Sequence, residues 1–288
     1  MGSVNRWVAG ARPRTLPASV IPVAVGTAVA SAQGQVIWWR AGAALIVSVA
    51  IQVGTNYAND YSDGKRGTDA VRVGPVRLVA SGLASPAAVK RAALLSFAVA
   101  AVAGTALASV AGWWLLAVGA LCLAAGWLYT GGPRPYGYAG LGELFVFVFF
   151  GLVATAGSAF VHLGRVTGLG VLAGVPVGLL AVALLVVNNL RDIPGDTVAH
   201  KNTLAVRLGA PATRIMYIAT LVTALALALA LAVARPWALV ALAAAPLAVT
   251  PAKRVAQGES GRALVDVLIA TGRLQLAFGL LLATGIAL

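Results

Sequence analysis

The chain has 288 residues, 60% of them hydrophobic and only 10% charged, with a mean hydropathy of +0.91. That composition excludes an ordinary soluble globule. The net charge of +13 would suit a nucleic-acid binder, but the placement of the charges, taken up below, excludes that reading.

Stretches of about 20 mostly apolar residues, enough to cross a hydrocarbon core as helix, recur along the whole length. The N-terminal "MGSVNRWVAGARPRTLP" is basic, yet the apolar run continues through "ASVIPVAVGTAVASA", so a retained span is expected and not a cleaved signal. Nine spans follow from the pattern, at about 15–32, 36–60, 87–110, 113–130, 140–162, 169–190, 212–233, 236–252 and 263–287. The apolar segments do not alternate and are far longer than the ~10 residues of a barrel strand. The expectation is an all-α integral membrane protein, with residues 1–288 forming one domain. Cys122, the sole cysteine, falls inside the fourth span and reads as apolar filler.

Of the 21 Lys and Arg residues, all but Arg40, Arg165, Arg235 and Arg273 fall on one side if the N-terminus is cytoplasmic. That is the positive-inside asymmetry, and it places the C-terminus outside. Trp38, Trp39, Trp113, Trp114 and Trp237 then form a belt at the outer boundary.

All eight acidic residues face the cytoplasm on this topology. Glu143 and Asp266 open outward-running helices, where the helix dipole favours them. Asp60, Asp63, Asp192 and Asp196 instead close inward-running helices, whose free carbonyls already carry partial negative charge. Clustered carboxylates there call for a bound cation. In "NNLRDIPGD", Asn188, Asp192 and Asp196 lie within ~80° of one helix face, and Asn56, Asp60 and Asp63 within ~60°. Pro194 and Gly195 are expected to loosen the last turn, so that Asp196 projects from a loop. Asn56 to Asn188 and Asp60 to Asp192 are both separations of 132 positions, which reads as two pseudo-repeated halves.

Oxygen-only ligands on two facing sites suit Mg²⁺, which keeps water and takes phosphate oxygens as further ligands. Lys65, Arg66, Arg72, Arg77, Lys201 and Arg207 flank the acidic motifs and can balance a bound diphosphate. From the residues alone the reading is an Mg²⁺-dependent enzyme acting on a lipid diphosphate at the cytoplasmic membrane face. An ion-coupled transporter would carry its acids near the bilayer midplane.

Two Asn/Asp motifs closing the second and sixth of nine helices resemble the UbiA superfamily of intramembrane prenyltransferases. Within it, "RPRTLPASVIPVAVGTA", "QVGTNYANDYSDGKRGTD", "RVGPVRLVASG", "GWLYTGGPRPYGYAGLGE" and "NNLRDIPGDTVAHKNTLAVRLG" are similar to the branch that prenylates 1,4-dihydroxy-2-naphthoate. The resemblance implies nine helices around a central cavity open to the cytoplasm and to lipid. The family pattern N-x-x-x-D-x-x-x-D matches Asn188, Asp192 and Asp196. In the first motif Asn56 and Asp60 fit, position 64 is Gly, and Asp63 or Asp69 stands in. The resemblance implies Asp60, Asp63, Asp192 and Asp196 as metal and catalytic residues and Tyr129 near the diphosphate. Asn56 and Asn188 of the matched motifs, the flanking Arg72, Arg77 and Lys201, and Arg14 are expected around the substrates, with Arg12 and Arg14 open to either the diphosphate or the acceptor carboxylate. The implied reaction joins a polyprenyl diphosphate to 1,4-dihydroxy-2-naphthoate with decarboxylation, giving demethylmenaquinone. Hydroxybenzoate or homogentisate is the alternative acceptor.

Overall fold

A computed structural model describes residues 3–68 and 77–288. Arg72 and Asp69, both expected near the site, lie outside the described residues. Ten α-helices follow one another, and among the described residues there is no strand. They are α1 (Ser3–Ala11), α2 (Pro17–Ser31), α3 (Trp38–Arg66), α4 (Pro86–Ala111), α5 (Leu115–Leu128), α6 (Gly142–Leu163), α7 (Gly168–Val198), α8 (Leu204–Ala232), α9 (Pro246–Ala256) and α10 (Ala263–Ala287). With no water in hydrocarbon, only a backbone that satisfies itself can cross, which is why this apolar chain is helical throughout.

Six helices, α3, α4, α6, α7, α8 and α10, are long and apolar enough to span a membrane. A 3₁₀ segment, Pro236–Ala244, joins α9 through a 48° bend and makes a seventh span if the pair crosses together. Helices α2 and α5 are apolar but only 15 and 14 residues long. The expected nine is reached only if the bent pair and both short helices cross as well. The protein is a multi-pass membrane protein.

Local chemistry sets the boundaries. Ser85, Thr167 and Thr203 cap α4, α7 and α8 by accepting from the N–H groups of Ala88, Gly170 and Val206. The two acidic helices are longer than their apolar runs. Helix α3 continues to Arg66, so Asp60 and Asp63 lie in its last two turns. Helix α7 runs unbroken through Pro194 to Val198, so Asp196 sits on helix and not on a loop. The freed backbone groups at Pro194 lie at the polar end of the bundle, where water can meet them.

Packing relies on small residues, as expected where lipid removes the hydrophobic drive between helices. The central stretch of α6, Phe147–Val153, is π-helical and sets Gly151 against the Gly174-x-x-x-Gly178 face of α7. A Cβ added to Gly151 would stand 2.6 Å from the Gly178 Cα, so no larger residue fits. The main core joins α2, α7, α8 and α10, with Leu180, Tyr217, Leu274 and Phe278 fully buried. On the other side α3, α4 and α5 pack together. Between these two groups α3 and α7 stand apart across a cavity.

The segment after the undescribed stretch is pinned by one side chain. Asp60, 1% exposed, accepts from the backbone N–H of Leu78 at 2.7 Å and of Val79 at 3.0 Å. Both carboxylate oxygens are therefore committed to the chain. Asp60→Asn replaces one acceptor by a donor facing an N–H, and each such bond to a charged group contributes about 1.5–3 kcal/mol. The expected outcome is a lower thermal midpoint and faster proteolysis between residues 65 and 85. Unchanged values would remove this anchoring role.

Candidate active site

The cavity has a volume of about 400 Å³ and two chemically distinct ends. Its polar end is lined by Asn59, Asp63, Asn188, Asp192, Asp196 and Lys201, from the ends of α3 and α7 and the turn after α7. Its apolar limb runs along the bundle to Val23, Ala44, Leu107 and Val161, which close on one another as a separate buried cluster.

Asp63 is held by three side chains. Tyr138 donates its phenolic hydrogen to Asp63 Oδ1 at 2.5 Å, Lys201 Nζ stands 3.3 Å from the same oxygen, and Arg77 lies 3.5 Å from Oδ2. Burial, and after it the Asp63 charge, push the Tyr138 phenol upward from its ordinary pKa. It therefore remains a donor. Lys201 also lies over the Tyr138 ring at 4.7 Å and Arg66 at 5.4 Å. Lys201 reaches the cavity because His200 adopts the left-handed region (φ 52) and its own N–H bonds to the Asp196 carbonyl at 2.8 Å.

On α7, Arg191 grips Asp192 through two bonds of 2.7 and 2.8 Å and also donates to Asn188 Oδ1 at 2.8 Å. Asn56 lines the cavity but spends its amide on the Ala11 carbonyl at 2.9 Å, tying α1 to α3. Arg12, Arg14, Arg77 and Tyr129 also line the cavity.

The structure thus brings together Asp63, Asp192, Asp196, Asn188, Arg77, Lys201, Tyr129 and Arg14. Asp60, expected as a metal ligand, is not among the residues that line the cavity, and its oxygens accept from the Leu78 and Val79 N–H groups instead. The cavity-facing pair on α3 is Asn59 and Asp63, four residues apart as are Asn188 and Asp192. The matched offset between the helices is accordingly 129 positions and not 132. Asn59, bonded to the Thr130 hydroxyl at 2.8 Å, was visible in the sequence only as a neighbour of Asp60. Arg191, Tyr138, Asn189 and Glu143 were also missed as site residues. For all four, their place inside the acidic and "RPYGYAGLGE" motifs was the available signal.

Among the described residues no three of His, Cys, Asp and Glu gather into a ready metal cage. The acids that face the polar end of the cavity from α3 and α7, Asp63, Asp192 and Asp196, nonetheless offer carboxylate oxygens, with no Cys or His from either helix. That set fits Mg²⁺, which completes its shell with water and phosphate oxygens, and does not fit zinc.

Residues 19–284 match the model of the UbiA prenyltransferase family. The chain is 52% identical to the 1,4-dihydroxy-2-naphthoate octaprenyltransferase of Mycobacterium tuberculosis, over 100% of this chain and 98% of that one. It is 37% identical to the enzyme of the same name from Escherichia coli, over 98% and 95% of the two chains. Among solved structures it resembles the apo UbiA homolog from Aeropyrum pernix K1 with a TM-score of 0.70 at 19% identity, covering 94% of this chain and 96% of that one. It also resembles the UbiA homolog from Archaeoglobus fulgidus bound to GPP and Mg2+, with a TM-score of 0.66 at 12% identity over 97% and 99%. A family match across nearly the whole chain, on an all-helical bundle with carboxylates gathered at one end of its cavity, makes this protein a member of the UbiA prenyltransferase family.

Proposed function

We propose that the protein transfers a polyprenyl group from polyprenyl diphosphate to 1,4-dihydroxy-2-naphthoate, releasing diphosphate and CO₂, as a step of menaquinone biosynthesis. The observation that carries this reading is the polarity of the cavity between α3 and α7. One end is charged, with Asp63, Asp192, Arg77 and Lys201, and the limb beyond is mostly apolar. An amphiphile with a diphosphate head and an isoprenoid tail matches both parts. The relatives named for this activity support the same acceptor.

Arg77 and Lys201 stand where a diphosphate head meets the carboxylates, and each donates to phosphate oxygens from a buried position. Asp63, Asp192 and Asp196 would hold Mg²⁺, and the Asn188 NH₂, its Oδ1 taken by Arg191, would donate to the diphosphate. When bound, the metal neutralises the diphosphate and stabilises it as a leaving group. The C1–O bond of the prenyl chain breaks with its electron pair leaving on the diphosphate. Tyr129, Phe145 and Phe149 line the cavity, and their ring faces stabilise the allylic cation at C1. Apolar walls exclude the water that would otherwise trap it. A carbon–carbon bond then forms from the electron-rich ring to C1. The acceptor carboxylate departs as CO₂, and its bonding pair restores the aromatic ring, leaving the quinol form of demethylmenaquinone. Arg12 and Arg14 are the described cations for the acceptor carboxylate.

Purified protein with polyprenyl diphosphate and Mg²⁺ should prenylate the naphthoate and release CO₂. Chelator should abolish turnover, and Asp63→Asn or Asp192→Asn should lower it ~10²-fold or more, as for loss of one preorganised electrostatic group. Asp60→Asn should cost less than either. Prenylation of hydroxybenzoate or homogentisate without the naphthoate would overturn the acceptor assignment.

The apolar limb is lined by Gly119 and Gly157, where an added Cβ meets nothing within 4 Å. Gly119→Leu or Gly157→Leu should fill the limb without straining the bundle and shift use toward shorter prenyl diphosphates. The expected loss for long chains relative to short is ~10-fold or more, the worth of one apolar pocket contact. An unchanged chain-length profile would place the tail elsewhere.

The orientation we propose puts the N-terminus and the charged end in the cytoplasm and Leu288 outside, in the cell membrane, on the strength of the Lys and Arg asymmetry. A reporter fused after Leu288 should be active only outside. Cytoplasmic activity of that fusion would reverse the assignment.

A further inference from the structure

Two adjacent asparagines on α7 present opposite polarities. Arg191, a pure donor, occupies Asn188 Oδ1 at 2.8 Å and leaves the Asn188 NH₂ for the cavity. Glu143, a pure acceptor as a carboxylate, takes a hydrogen from Asn189 Nδ2 at 2.9 Å. Asn189 lines the cavity, and with its Nδ2 held by Glu143 its Oδ1 is left to accept a hydrogen. Glu143 is 7% exposed, and its second oxygen is buried without a hydrogen-bond partner. A contact of purely structural value would be made more cheaply by apolar groups, since an unsatisfied buried oxygen costs stability.

The surroundings indicate what the Asn189 oxygen receives. An ionised diphosphate has no hydrogen to give and would be repelled there. The Tyr129 hydroxyl also lines the cavity, makes no hydrogen bond to the described residues, and lies 3.5 Å from where a Cβ on Gly142, the neighbour of Glu143, would stand. Tyr136 and Phe145 stack at 4.0 Å with 23° between planes, and Phe149 follows at 5.9 Å from Phe145. All three rings face the same cavity. An acceptor oxygen and a phenolic O–H beside an aromatic wall form a two-point site for a hydroxyl on a planar ring.

We propose that Glu143 is a positioning residue: it fixes the Asn189 carboxamide so that Oδ1, with the Tyr129 hydroxyl, receives a ring hydroxyl of the aromatic acceptor lying against Tyr136 and Phe145. This deepens the function proposed above and rests on it for the identity of the acceptor. The reach across to Asn189 is set by the glycine contact between α6 and α7, which leaves the first turn of α6 opposite α7.

The test uses purified full-length protein in detergent with Mg²⁺ and polyprenyl diphosphate. Michaelis constants are measured for the prenyl donor, for 1,4-dihydroxy-2-naphthoate and for 1-hydroxy-2-naphthoate. Glu143→Leu frees the carboxamide to turn and should raise the KM for the dihydroxy acceptor ~10-fold or more, the effect of losing one buried hydrogen bond. The donor KM should stay within about twofold, and the preference for the dihydroxy over the monohydroxy ring should shrink. Glu143→Gln, whose Oε1 still accepts from Asn189, should recover most of the acceptor affinity. Tyr129→Phe should reproduce the Glu143→Leu pattern, and it decides the matter even if Glu143→Leu does not fold. Equal rises in both KM values, a fall in kcat with the preference intact, or a changed Mg²⁺ requirement would each overturn the proposal. If the wild type prenylates a different hydroxylated ring, the same comparison is made with that ring. Turnover of the naphthoate with all variants unmoved would sink this inference alone, whereas no aromatic acceptor at all would sink both.

Discussion

The Asp63 carboxylate is the point at which separate parts of the chain are tied into one polar surface. It belongs to α3, and its partners come from the loop before α4, the 3₁₀ turn before α6 and the turn between α7 and α8. Burying a charge is costly unless it is paired, and three partners hold this carboxylate while it keeps two cations in the cavity wall. Those cations are useful only because a fixed anion prevents them from extending into water. Tyr138 serves both signs at once, through its O–H to the carboxylate and its ring face to Lys201 and Arg66.

The rest of the bundle keeps that surface at the end of a hole. Helices α6 and α7 approach to backbone contact at Gly151, Gly174 and Gly178, and the π-helical turn gives α6 the phase to do so while presenting Phe149 and Phe150 to the cavity. Such close pairs need no side chains between them, so the bulk of the side-chain volume is placed on other faces. Helices α3 and α7, which carry the acids, are held apart by their own neighbours, α4 and α8. The space between them is a product of those pairings.

Much of this was legible in the amino-acid order. Hydropathy alone marked the helices, and the Asn/Asp motifs marked the two helix ends that meet at the cavity. The failures share a cause. Asp60 and Asp63 differ by only ~60° around α3, and which of them fronts the cavity depends on how α4 rotates α3, information that no local spacing contains. Extension of α3 to Arg66 and of α7 to Val198 was hidden because polar final turns read as loop by hydropathy. Glu143 read as a dipole-favoured first-turn acid, which it is, but its partner Asn189 lies 46 positions away. Fidelity at short range and loss at long range is what a helical membrane bundle should give.

The apolar cluster of Val23, Ala44, Leu107 and Val161 lines the limb of the cavity, and each of the four is 8% exposed or less. Carboxylates, cations and tyrosines are gathered at the polar end, yet a proton or hydrated ion passing beyond it meets a largely apolar lining, where unpaired charge is costly. A membrane that stores free energy as an electrical potential can thus host this much ionic chemistry without being short-circuited by it.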